Sequence, residues 1–139
     1  MSCPHCDAPV VAFAVPTALR EHAPDSTTAI CTRCLRTFPA ADAGAASGEG
    51  ADADGGGRSA DDPDFSAVDP AFPAGEAGVA LALACGQLES LALNRASIEA
   101  LVEHAERSGA DAYAFFERLD AADAAFDLER RRSALLDML

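Results

Sequence analysis

Two short cysteine motifs constrain this chain more than anything else in it: Cys3-Pro4-His5-Cys6 and Cys31-Thr32-Arg33-Cys34, with 24 residues between them. A tetrahedral metal needs four ligands, each sulfur about 2.3 Å from the ion, and each C-x-x-C turn offers two thiolates on one tight knuckle. The intervening chain must leave the first knuckle and come back to meet it. A strand, a turn and a second strand achieve that, which is the architecture of a zinc ribbon. The spacing therefore predicts one structural Zn²⁺ held by Cys3, Cys6, Cys31 and Cys34. Iron is the rival metal, because geometry alone does not separate it from zinc in an S₄ site. A redox dithiol and a disulfide pair are the other readings. A thioredoxin-like dithiol sits at the start of a helix after a strand, whereas Cys3 follows only two residues.

Energetics favours a structural role. Residues 1–38 carry about eight large apolar side chains, too few for independent folding. Binding of structural zinc supplies on the order of 10–16 kcal/mol, enough to make folding depend on metal. Four thiolates also close the coordination shell and leave no position for a catalytic water. Four sulfurs on Zn²⁺ carry a formal double negative charge, which Arg33 and Arg36 beside the second knuckle are placed to offset.

Between the knuckles, Val11, Phe13 and Val15 alternate with Val10, Ala12 and Ala14, a period-2 strand pattern ended by Pro16. Thr17 to Ala23 has room for one or two helical turns before Pro24, and Asp25-Ser26-Thr27 is a turn leading into Ala29-Ile30.

Composition shifts near Pro39 and again near Glu76, which divides the chain into a ribbon (1–38), a linker (39–75) and a helical region (76–139). The net charge of −13 falls wholly on the last two parts, −7 and −6, and the first part is neutral. The linker is Ala, Asp, Gly and Pro, with eight acids against Arg58 alone, and its low hydrophobicity from about Ala41 to Asp62 is a disorder signature. Phe65, Pro70, Phe72 and Pro73 interrupt it as an extended stretch able to lie against the third part and staple it.

Helical periodicity marks residues 76–139. Val79, Leu81, Leu83, Cys85, Leu88 and Leu91 are apolar on more than one face, which predicts a central, buried helix. Ile98, Leu101, Val102 and Ala105 follow the i, i+3, i+4, i+7 rule after a cap at Asn94 or Ser97, and Gly109 stops that helix. Tyr113, Phe116 and Leu119 form a short third helix with Asp111 near its start. Leu128, Leu135 and Leu139 line a last one, with Arg130, Arg131 and Arg132 on its exposed side. The expected fold class is α+β: an N-terminal zinc ribbon of short strands, a disordered acidic linker and a C-terminal bundle of three or four helices.

Other chemistry-bearing residues read blandly. His5 is an exposed spacer within the first knuckle, His22 and His104 are surface residues without visible partners, and Cys85 is a small core residue. No Gly-rich phosphate loop, Ser/His/Asp set or H-E-x-x-H motif occurs, so no catalytic residue is assigned and an enzyme is not expected.

All ten basic residues are Arg, 33 residues are Ala, and there is no Trp. At molar salt the Debye length is ~3 Å, so dense surface carboxylates barely repel one another and keep a protein hydrated. Abundant acid without Lys therefore fits a halophilic protein, with an ordinary acidic protein from a GC-rich genome as the alternative. A cleavable signal would remove Cys3, and the longest apolar run, Ala77 to Gly86, is half the ~20 residues of a membrane span. The expected location is cytoplasmic and reducing, where paired cysteines are more often metal ligands than disulfides.

With these features in place the chain resembles small zinc-ribbon proteins of haloarchaea, an uncharacterised family that joins an N-terminal ribbon to a C-terminal helical region. The residues behind the resemblance are Cys3-Pro4-His5-Cys6, Ala29-Ile30-Cys31-Thr32-Arg33-Cys34-Leu35 and the stretch from Leu91 to Glu103. Such first knuckles usually carry Gly where this chain has Asp7; that turn favours φ > 0, which Asp tolerates better than most residues. The resemblance implies no reaction. The leading expectation is a non-catalytic adaptor that meets a protein partner, with homodimerisation as one way to complete a small Ala- and Leu-rich core. The rival is a nucleic-acid-associated ribbon acting in transcription or translation, disfavoured by a neutral ribbon on an acidic body.

Overall fold

The computed structural model describes residues 2–43, 63–120, 124 and 127–138. Three antiparallel strands, β1 (Val10–Ala14), β2 (Thr27–Cys31) and β3 (Thr37–Pro39), form a sheet in the order β1-β2-β3. Four helices follow: α1 (Gly75–Gln87), α2 (Arg95–Arg107), α3 (Ala112–Arg118) and α4 (Leu128–Met138). Short 3₁₀ turns occupy Thr17–His22, Ala40–Ala43, Phe65–Ala67 and Leu88–Ser90.

The period-2 pattern of β1 works on two buried faces at once. Val11, Phe13 and Val15 pack into the large core shared with the helices, while Val10 and Ala12 pack against the cluster that holds the four cysteines. In β2, Ile30 joins the first face and Ala29 and Cys31 the second. The pairing Val10↔Cys31 and Phe13↔Thr28 keeps this sorting in register, and a one-residue slip would reverse it. Pro39 sits on the edge strand, where its missing N–H costs no ladder bond.

α1 is the buried central helix. Every residue from Ala77 to Cys85 is buried, because the sheet, α2 and the segment 63–74 surround it. Gly86 is the close approach to the sheet: a Cβ there would overlap Thr37 Oγ1 and lie 2.6 Å from its Cγ2. Gly78 makes the corresponding approach to Pro73 O and Phe65.

The aromatic stretch after the linker reaches further than a staple on the helices. Phe13 of β1 meets Phe65 at 5.3 Å between ring centroids, Phe65 stacks on Phe72 at 5.4 Å, and Phe72 meets Phe115 of α3 at 4.7 Å. Each such contact adds about 0.5–1.5 kcal/mol beyond area burial, so the ladder ties the ribbon to α3. Asp69, only 7% exposed, fixes the same stretch by accepting from Ala71 N at 2.8 Å and from Asp120 N at 3.1 Å. Ribbon and helices thus share one core. The segment between them is ordered at both ends, through Ala40–Ala43 and residues 63–74. Most of the stretch expected to be disordered, residues 44–62, lies outside the described residues.

Helix ends follow local chemistry. α2 closes in a Schellman motif, with Gly109 at φ +102°, Gly109 N donating to Glu106 O and Ala110 N to Ala105 O. Asp111 Oδ1 caps α3 by accepting from Ala114 N at 3.0 Å. Asn94 is the N-cap residue of α2 but makes no side-chain cap; its amide donates instead to Gln87 O at 3.4 Å. Tyr113 faces solvent and Phe115 takes the inward position expected of it.

Helix propensity alone would favour Ala over Gly at position 86 by ~1 kcal/mol, so Gly86→Ala separates packing from propensity. It should destabilise the protein by about 1–3 kcal/mol in chemical denaturation, because the clash is with a strand residue anchored in the sheet. Adding Thr37→Ala should recover part of that loss; a neutral or stabilising Gly86→Ala would contradict the contact.

Candidate metal centre

Each cysteine pair sits on a turn that the backbone closes in the same way. In the first, Asp7 N donates to Cys3 O at 2.9 Å and Cys3 N to Ala8 O at 2.8 Å. In the second, Cys31 N donates to Arg36 O at 3.0 Å. Both turns end on a left-handed residue directly after the second cysteine, Asp7 at φ +69° and Leu35 at φ +65°. This chirality is what turns the chain back under the two sulfurs. Asp7 has the conformation expected from its position. Leu35 was not singled out from the sequence, although it occupies the equivalent place in the second motif; it accepts the strain and is buried in the large core, 1% exposed.

Thr32 locks one knuckle onto the other. Its N–H and its Oγ1 both donate to Pro9 O, at 3.0 and 2.8 Å. Ser2 N donates to Ala43 O at 3.2 Å, which holds the start of the first knuckle to the 3₁₀ turn after β3.

The result is a group of four sulfurs, those of Cys3, Cys6, Cys31 and Cys34, all within 4.8 Å of one another. Cys3 Sγ and Cys34 Sγ are 3.8 Å apart, and Cys6 Sγ and Cys31 Sγ 3.4 Å. A tetrahedron with sulfurs ~2.3 Å from a central ion has edges of about 3.8 Å, so the four thiols match the donor set of a metal ion. No disulfide joins them. All four residues predicted as ligands converge, and together they can hold one metal ion. His5 is exposed and turned toward Phe38, with ring centroids 6.1 Å apart.

Backbone dipoles prepare the sulfurs for negative charge. His5 N donates to Cys3 Sγ, and Arg33 N and Cys34 N donate to Cys31 Sγ, each at 3.3 Å. Burial works against ionisation of Cys3, but the N–H groups of His5 and Cys6 and the neighbouring thiols outweigh it and bring Cys3 down to about 7. Burial pushes the Cys31 thiol up despite the N–H groups of Cys34 and Arg33. Cys34 is raised as well, by burial first and by Cys31 beside it. Without a cation, four thiolates cannot share this space; a divalent ion removes the conflict.

Arg36 has a carboxylate partner in the helical region. Its Nη2 lies 3.6 Å from Glu89 Oε2, a half-exposed pair between the ribbon and the turn after α1. Arg20 is also engaged, its Nε donating to Val15 O at 3.0 Å. Of the C-terminal arginines, Arg132 Nη1 caps the end of α3 by donating to the carbonyls of Phe116, Glu117 and Leu119, at 3.3, 3.2 and 2.7 Å. Arg131 Nη2 donates to Glu89 O at 3.3 Å, so only Arg130 of the three is exposed.

Two histidines expected at the surface have partners. His22 Nδ1 is 2.7 Å from Ser97 Oγ, its Nε2 is 3.4 Å from Glu21 Oε2, and its carbonyl accepts from Gln87 Nε2 at 2.8 Å. Serine, histidine and acid in contact suggest nucleophilic chemistry at first sight. The Glu21 side chain is 80% exposed, however, and a solvated carboxylate orients an imidazole poorly. The set is a clasp between the ribbon and α2. His104 Nε2 lies 3.6 Å from Glu76 Oε2, joining α2 to α1. Cys85 is fully buried, and burial, with Asp69 nearby, raises its thiol far above the usual range; it is the inert core residue expected.

The model of a family of unknown function (DUF6276) matches residues 2–139, and the chain belongs to that family. No curated protein and no solved structure matches it.

Asp7 adds left-handed strain and a negative charge beside the sulfurs, and glycine would relieve both. Asp7→Gly should therefore raise the stability of the metal-loaded protein by about 0.5–1 kcal/mol, with metal stoichiometry unchanged. A thermal melt showing loss of stability would contradict the strain assigned to this knuckle.

Proposed function

We propose that this member of a family of unknown function is a non-catalytic metal module, in which one zinc ion bound by Cys3, Cys6, Cys31 and Cys34 sets the shape of a surface read by a protein partner. The observation that carries the reading is the closed cluster of four sulfurs, with Cys3, Cys31 and Cys34 at 2%, 0% and 4% exposure. A metal enclosed by four protein thiolates has no open position at which to activate water or polarise a substrate. Zinc is favoured over iron because a ribbon fold needs only the tetrahedral geometry that a d¹⁰ ion accepts without electronic preference.

The acidic surface supports a halophilic, cytoplasmic setting, where high salt screens the −13 net charge and a reducing milieu keeps thiols available for metal. Among the described residues no helix is long and apolar enough to cross a membrane. A nucleic-acid role gains little support, since Arg20 and Arg36 are spent on Val15 O and Glu89 and the acidic body repels phosphate. The exposed Leu93, at 87%, gives a partner one apolar anchor on the turn before α2.

Metal analysis and X-ray absorption at the metal edge test the proposal on protein purified at high salt. One zinc per chain with four sulfur neighbours at about 2.3 Å and no oxygen or nitrogen ligand is expected. A bound water or a fifth ligand would argue for a catalytic metal, and iron would reopen electron transfer.

A further inference from the structure

Among the four ligands Cys6 stands apart. Cys3, Cys31 and Cys34 are 2%, 0% and 4% exposed, whereas Cys6 is only half-buried. A small solute can therefore reach the centre most readily through Cys6. Its sulfur also has a reaction partner close by: Cys31 Sγ is 3.4 Å away, nearer than the 3.8 Å between Cys3 and Cys34. Thiolates remain nucleophilic and are the form that oxidants attack, and exposure decides which of several reacts first.

We propose that Cys6 and Cys31 form an oxidative modification site, at which a peroxide converts two metal ligands into a disulfide and releases the ion. This rests on the zinc centre proposed for the four thiolates. The Cys6 thiolate attacks one oxygen of hydrogen peroxide; the S–O bond forms, the O–O bond breaks, and hydroxide leaves to be protonated by solvent. Cys6 is then a sulfenic acid, oxidised by two electrons. The Cys31 thiolate attacks that sulfur, the S–S bond forms, and the oxygen departs as a second hydroxide that solvent protonates to water. In sum, two thiolates, one peroxide and two protons give one disulfide and two waters. The sulfurs need to close by little more than an ångström to reach the ~2.05 Å of a disulfide.

The consequence extends beyond the metal. With Cys6 and Cys31 joined, only Cys3 and Cys34 remain as ligands, too few to retain the ion. The second knuckle carries Leu35 into the core shared with the helices, so loss of the metal loosens the surface that the module presents. Cys85 is fully buried and takes no part.

The full chain, loaded with zinc and checked for one ion per protein, is treated with one equivalent of hydrogen peroxide. Released zinc is followed with a chromophoric chelator, and the thiols are mapped by alkylation and peptide mass spectrometry. Loss of about one zinc per oxidised chain, a Cys6–Cys31 disulfide as the main product, and recovery of zinc binding after reduction are expected. A dimedone trap during the reaction should label Cys6 before the other three. Release with a Cys3–Cys34 or Cys3–Cys6 disulfide, first labelling of another cysteine, or retention of zinc would overturn the proposal while leaving the metal reading intact. A chain that takes up no zinc at all would overturn both. Cys6→Ser, if it still folds and binds zinc, should lose zinc to peroxide at least about ten-fold more slowly.

Discussion

The convergence of four sulfurs within 4.8 Å is the constraint on which the remaining structure depends, because it fixes where a very small sheet begins and ends. β2 runs directly into the second knuckle at Cys31, and β1 starts four residues after the first at Cys6. Once the knuckles are locked together through Thr32 and Pro9, the register Val10↔Cys31 follows. That register decides which side chains of β1 meet the helices and which meet the cysteine cluster. A chain with 33 alanines and no tryptophan has few large side chains to bury. It compensates by placing the sheet between two buried layers, so that both faces of β1 and β2 contribute.

The helical region and the sheet bury each other's apolar faces. α1 is buried on all sides, and one of those sides is the ribbon, approached closely enough at Gly86 that only hydrogen fits opposite Thr37. Four aromatic rings in sequence from Phe13 to Phe115 carry the contact from β1 across to α3. His22 binds Ser97 and Gln87, and Arg36 approaches Glu89, so polar contacts close the rim of the same seam. A perturbation at the sulfurs therefore has a direct mechanical route into α1.

The convergence of the four cysteines was legible in the sequence because its chemistry is local: two C-x-x-C pairs state both the donor type and the turn that presents it. The strand alternation around Phe13 and the helical stripe of Ile98, Leu101, Val102 and Ala105 were legible for the same reason, since each pattern spans only one element. What escaped was non-local. Nothing near His22 announces Ser97, which is 75 residues away in sequence, and nothing near Thr37 announces Gly86. The triple arginine illustrates the same limit, because three adjacent cations look like one exposed patch until the fold spends Arg132 on the carbonyls of α3. The stretch around Phe65 was legible as a staple on the helices but not as a bridge to the sheet, because its partner Phe13 lies far away in sequence.

Hydrogen exchange of the α1 backbone, measured with metal bound and after chelation, tests most directly the claim that one core depends on one metal centre. The structure predicts that amides across Ala77–Gln87 lose protection together with those of β1 and β2 when the metal is removed. Helices that stay protected while only the first 43 residues open would contradict it, and would mean that the ribbon and the helical region fold as separate units.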